Sequence, residues 1–158
     1  MKSLERVLAA IHFDQIDRLP IFLQISGFAA TSAGIALPDY LTKSEVLASS
    51  QLEATKRFQN DLLSSSLDYC VEAEALGTEI VFSPNAYPHI KSPLLDNWQQ
   101  VEKMSIPDPY SAGRMPVVIE ACQMLLEQDG GEHFVVGQVL GPTTIASQIF
   151  GIENLIYF

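Results

Sequence analysis

A chain of 158 residues, 47% hydrophobic and 18% charged, can build a globular core and is too apolar to remain disordered. Nine Lys and Arg against nineteen Asp and Glu leave a net charge of −10, and the cations are scattered, so nucleic acid is excluded as a partner. The start, Met1 to Ala10, is amphipathic rather than signal-like, and no stretch is long and apolar enough to cross a bilayer; Cys70 and Cys122 stand far apart without a Cys/His cluster, so a reducing cytoplasm is expected and no metal ligand is assigned.

Taken in chain order, Ser3 is positioned to cap a helix in which Leu4, Val7, Leu8 and Ile11 form one face. The apolar run 19–24, with Pro20 at its start, predicts a first buried parallel strand. Residues 26–42, rich in Gly, Ala, Ser and Thr, read as a loop, and a helix follows from Ser44 to Phe58. Residues 62–68 predict the second strand, 71–76 a short helix ended by Gly77, and 79–82 a further extended piece.

Pro84, Pro88, Pro93, Pro107 and Pro109 make residues 83–111 an irregular excursion. Ser111 is the expected cap of a helix whose inner face is Val118, Cys122 and Leu125, widened by Ile119 and Leu126, and closed by Asp129-Gly130-Gly131. Residues 133–140 are apolar on both faces, as a strand covered on two sides must be. A helix runs from Thr143 to a break at Gly151, and another from Glu153 to Phe158. This order gives an α/β fold with parallel strands and helical crossovers, and periodicity leaves open sheet and barrel both standing.

Three groups of segments carry a more specific signal. They are Glu5-Arg6-Val7-Leu8-Ala9-Ala10-Ile11 with Ile16-Asp17-Arg18-Leu19-Pro20-Ile21; Val71-Glu72-Ala73-Glu74-Ala75-Leu76-Gly77; and Pro107-Asp108-Pro109 with Gly113-Arg114-Met115-Pro116, Gly141-Pro142-Thr143-Thr144 and Gly151-Ile152-Glu153-Asn154. In this order and spacing the chain resembles the uroporphyrinogen decarboxylase superfamily, and the double-Glu segment resembles its corrinoid-dependent methyltransferases. The resemblance implies a (β/α)8 TIM barrel, which needs about 250 residues or more. Residues 1–158 are therefore expected to be one incomplete, truncated domain, the amino-terminal part of a barrel whose carboxy-terminal half is missing. Uncovered strand edges would make such a fragment poorly soluble or incompletely folded.

Barrel enzymes carry their reactive groups at the carboxyl ends of the strands, which singles out Gln24, Asp68, Gln138 and Gln148. By the resemblance, Asp68 falls on a strand-end aspartate that contacts substrate pyrrole N–H groups; an Asp there equally caps the following helix. Glu72 and Glu74 are two apart and share no helix face, so one is expected at the pocket and the other as an ordinary solvated or helix-start carboxylate. Gln148 stands where the decarboxylases present a tyrosine, and it keeps hydrogen-bonding capacity. Where the decarboxylases carry Arg-Gln-Ala-Gly-Arg this chain has Gln24-Ile25-Ser26-Gly27-Phe28. Neutral side chains cannot replace two arginines against an eight-carboxylate tetrapyrrole, so decarboxylation is disfavoured.

The resemblance thus implies transfer of a methyl group from a methylated corrinoid to a thiol or similar acceptor, with a corrinoid protein as a possible partner and zinc as a cofactor. The family's zinc ligands, a His and two Cys, would lie in the missing half. His12, His89, His133 and Cys122 read as surface or packing residues, and Cys70 is the one cysteine beside a plausible pocket. Uroporphyrinogen decarboxylase in porphyrin biosynthesis and a non-catalytic fragment are the alternatives.

Overall fold

The computed structural model describes residues 1–157. In chain order the elements are α1 (Ser3–Ile11), α2 (Phe28–Ser32), α3 (Leu37–Thr42), α4 (Ser44–Phe58), β1 (Leu62–Ser64), α5 (Val71–Ala75), β2 (Ile80–Ser83), β3 (Ala86–Ile90), a 3-10 turn (Trp98–Lys103), α6 (Met115–Asp129), β4 (Phe134–Val136), α7 (Pro142–Phe150) and α8 (Ile152–Tyr157). They form two compact units: Met1–Leu67 with Val117–Gln138, and Asp68–Pro116 with the residues from Val139 onward. Phe158, where the last expected helix was to stop, lies outside the described residues.

In the first unit β1 and β4 pair in parallel, Leu62 opposite Phe134 through Ser64 opposite Val136, so their carboxyl ends share one edge. Ala48 of α4, Leu63 of β1 and Leu125 of α6 form its buried centre, with Leu52, Met124 and Val135 packed around them. Each buried Leu contributes about 1.5–3 kcal/mol. The sequence reading of α4 holds to the residue, because Glu45 in its first turn and Lys56 and Arg57 in its last suit the helix dipole.

Several expectations are corrected here. Ser3 begins α1 rather than capping it, and its hydroxyl donates to Asp61 at 2.7 Å. Residues 19–24 join no strand ladder: Asp61 N–H donates to Ile21 O at 2.9 Å, and the Asn60 amide takes the Leu23 N–H at 2.9 Å and C=O at 3.3 Å. A side-chain amide thus does what a neighbouring strand's backbone would. The loop expected over 26–42 contains α2 and α3, since Ala is the strongest helix former and Pro38 suits a first helical turn. The strands expected over 62–68 and 133–140 shrink to three residues each. Helix α6 buries Ala121 and Leu125, while Cys122 is half-buried and Leu126 is exposed; Ser111 donates to Asp108 instead of capping.

In the second unit α5 ends at Gly77, whose φ of 102° lets Thr78 N–H reach back to Ala73 O at 3.0 Å. The piece expected over 79–82 is β2, and it pairs antiparallel with β3 inside the supposed irregular excursion. Pro88 fits this strand because a two-stranded hairpin has edges that need no N–H. Ala73, Leu95, Ile149 and Phe150 make the core, with Trp98 against Phe150 at 4.5 Å between ring centroids. Among the described residues no helix is long and apolar enough to cross a membrane.

Candidate functional site

At the carboxyl edge of the first unit, Gln24 Nε2 donates to Gln138 Oε1 at 3.4 Å, two residues beyond the end of β4. The two residues expected together at a strand-end mouth are thus neighbours, and both are neutral.

The second unit pairs Asp68 and Glu74 with Arg114, while Glu72 and Gln148 bond to the backbone of Leu140 and Tyr69. The Asp68 side chain is 2% exposed; its Oδ1 accepts from Cys70 N–H at 2.8 Å and from Arg114 Nη2 at 3.3 Å, and its Oδ2 accepts from Arg114 Nη1. Three of about four lone-pair directions of the carboxylate are therefore taken. Arg114 Nε donates to Glu74 Oε2 at 2.6 Å, and its guanidinium lies 4.9 Å from the Phe82 ring centroid. The Cys70 bond is the local turn that an Asp makes two residues on, so the capping alternative is realised as an Asx turn rather than a helix cap.

Both glutamates stand in the first turn of α5, as a helix-start carboxylate does, and neither is merely solvated: Glu72 Oε1 accepts from Leu140 N–H at 2.8 Å while Glu74 binds Arg114. Gln148 Nε2 donates to Tyr69 O, which leaves Gln148 Oε1 buried with no partner. The segment 68–72 after β1 is thereby tied to the segment after β4 by Glu72 and to α7 by Gln148. A buried orphan acceptor of this kind costs about 1–3 kcal/mol unless something donates to it.

Arg114 is the charge-pairing side chain to which sequence reasoning gave no role, although it is the only Lys or Arg after Lys103. A lone cation beside Gly in an acidic chain is the signal that was there to read. Gly113 has φ 52°, and a Cβ there would sit 3.1 Å from Ala75 N. Gly113→Ala is expected to lower stability by about 1–2 kcal/mol, readable as a shifted urea midpoint.

Cys70 is buried and donates its S–H to Pro88 O at 3.4 Å. Burial, reinforced by Asp68 and opposed by Arg114, pushes its thiol up to about 11. It stays protonated at neutral pH, so its alkylation in the folded protein should run on the order of 100-fold slower than that of a free cysteine. Equal rates in folded and urea-unfolded protein would contradict this burial.

A zinc ion fits none of these residues. Among the described residues no three His, Cys, Asp or Glu side chains group to hold a metal, and His133 is engaged by Asp129 at 2.6 Å.

The chain is 28% identical over 157 residues to "Methylcobamide:CoM methyltransferase MtaA" of Methanosarcina barkeri, and equally to that of the strain Fusaro, covering 94% of this chain and 45% of each relative. It thus spans less than half the length of these relatives. A solved methyltransferase from Methanosarcina mazei superposes with a TM-score of 0.85 over 99% of this chain and 48% of its own, at 23% identity, which establishes the shared α/β fold. The family pattern itself extends over residues 2–158, and the chain belongs to the uroporphyrinogen decarboxylase (URO-D) family.

Proposed function

We propose that this chain is the amino-terminal part of a (β/α)8 barrel methyltransferase that moves a methyl group from a methylated corrinoid to a thiol. One observation carries the choice within the family: the stretch Gln24 to Phe28 holds no cation, and Gln24 is engaged with neutral Gln138. Arg6, Arg18 and Arg114 are occupied by Asp17, Asp61, Asp68 and Glu74, so they are not offered to a polycarboxylate. The methyltransferase relatives and fold neighbour support the same reading.

In this reading a small neutral or singly charged acceptor is bound through Glu72 and the free Oε1 of Gln148, and the Gln24–Gln138 pair of the first unit is a separate neutral hydrogen-bonding group. Asp68 offers the substrate its one remaining lone-pair direction, with Arg114 as counter-charge. The acceptor's sulfur forms a C–S bond with the methyl carbon as the Co–C bond breaks; that electron pair stays on cobalt, and the thiol proton leaves to solvent. A complete (β/α)8 barrel has more strands than the described residues contain, and a corrinoid protein is the natural carrier of the donor.

The test supplies the intact protein with methylcobalamin, a thiol and zinc, and separately with uroporphyrinogen. Methyl thioether with loss of the methylcobalamin absorbance is expected. Coproporphyrinogen formed without corrinoid would establish the decarboxylase instead, and inactivity in both arms would leave a non-catalytic chain.

A further inference from the structure

Two loops of the first unit meet one buried polar pair. Tyr40 of α3 is 0% exposed and Gln51 of α4 is 2% exposed. Gln51 Nε2 donates to the Tyr40 hydroxyl at 2.8 Å and to Ser26 O at 3.2 Å, and the Tyr40 hydroxyl donates to Ser66 O at 2.8 Å. Ser26 lies two residues after Gln24, and Ser66 two residues before Asp68.

The local backbone shows what this pair holds in place. Ser26 has φ 45°, a left-handed conformation that a residue with a side chain adopts at a cost of about 1–3 kcal/mol and keeps only where its surroundings impose it. Residues 65–67 follow β1 and are buried; Ser65 N–H still donates to Val136 O at 3.3 Å, while Ser66 N–H turns to Ser64 Oγ at 3.2 Å. Apolar side chains would fill the Tyr40 and Gln51 sites without burying polar atoms, and a satisfied polar pair fixes geometry that apolar packing leaves loose.

We infer that Tyr40 and Gln51 are positioning residues that jointly set the two loops carrying Gln24 and leading to Asp68. The inference rests on the methyltransferase reading for what those loops bind, while the hydrogen bonds themselves stand apart from it. Helices α3 and α4 then act on substrate affinity from positions that never touch substrate.

The test compares intact wild-type protein with Tyr40→Phe, which keeps the ring, and Gln51→Met, which keeps the volume. In both variants, amide hydrogen exchange at residues 25–27 and 65–67 should accelerate roughly tenfold while α6 amides hold their rates. The KM for the thiol should rise about fivefold with kcat within twofold, the pattern of lost binding that acts equally on ground and transition states. Exchange unchanged in either loop, or raised uniformly through α6, overturns the inference. Loosened loops with unchanged KM overturn the positioning role alone, and a wild-type protein without methyl transfer overturns the functional reading and the assignment of these loops to it.

Discussion

Asp61→Ala is expected to destabilise the first unit by about 3–5 kcal/mol, the cost of leaving a buried charge uncompensated. Asp61 is fully buried at the start of β1. It accepts from Ser3 Oγ at 2.7 Å, Arg6 Nη1 at 2.7 Å, Arg18 Nη1 at 2.5 Å and Nη2 at 2.9 Å, and Ile21 N–H at 2.8 Å. One carboxylate thus fastens α1 and the extended segment 19–23 to β1. Removing it leaves Arg6, whose side chain is 8% exposed, with Asp17 alone. A drop in urea midpoint with unchanged slope is the expected readout, and a shift under about 1 kcal/mol would contradict the account.

The same group sets an acid limit. Burial pushes the Asp61 carboxyl up, but the Arg18 guanidinium, Ile21 N–H and Ser3 hydroxyl outweigh it and hold the group well below its ordinary value of 3.8. A carboxylate depressed in the folded state contributes stability that is complete above its ordinary value and is lost as pH falls below it. Wild-type stability should therefore fall between about pH 5 and pH 2, and Asp61→Asn should flatten that fall.

Arg114→Met carries the second large effect. It leaves Asp68, with a 2% exposed side chain, and Glu74, at 22%, facing each other without a counter-charge. About 3–5 kcal/mol is expected for the broken buried pair. Arg114→Lys should recover part of the stability and little of the activity, because an ammonium cannot bridge Asp68 and Glu74 while stacking on Phe82. Thermal melts and kcat/KM of the two variants separate charge from geometry; Lys restoring both would show that geometry is immaterial.

What the sequence disclosed follows from the range of each interaction. Helix α4 and the break between α7 and α8 at Gly151 were legible because dipole-matched ends and a φ of 81° are local signals. The double-Glu segment was legible as a motif, yet its partners Arg114 and Leu140 lie 40 and 68 residues away. Sequence spacing holds no record of such pairings. The first extended segment misled because its apolar run looks like a strand, whereas Asn60 and Asp61 side chains supply part of its bonding. Helix α2 was hidden by small residues that read as loop by composition and as helix by propensity, and α3, Leu37–Thr42, is too short to show a helical period.

The claim at the centre is that Asp68, held by Arg114, serves methyl transfer. Deuterium-labelled methylcobalamin, incubated with a thiol and either the intact wild-type protein or Asp68→Asn, tests it by mass. Labelled thioether should form with wild type and fall at least about 100-fold with the variant, the scale of losing one positioned charged group. Label remaining on cobalt with wild type, or equal turnover by Asp68→Asn, would contradict it.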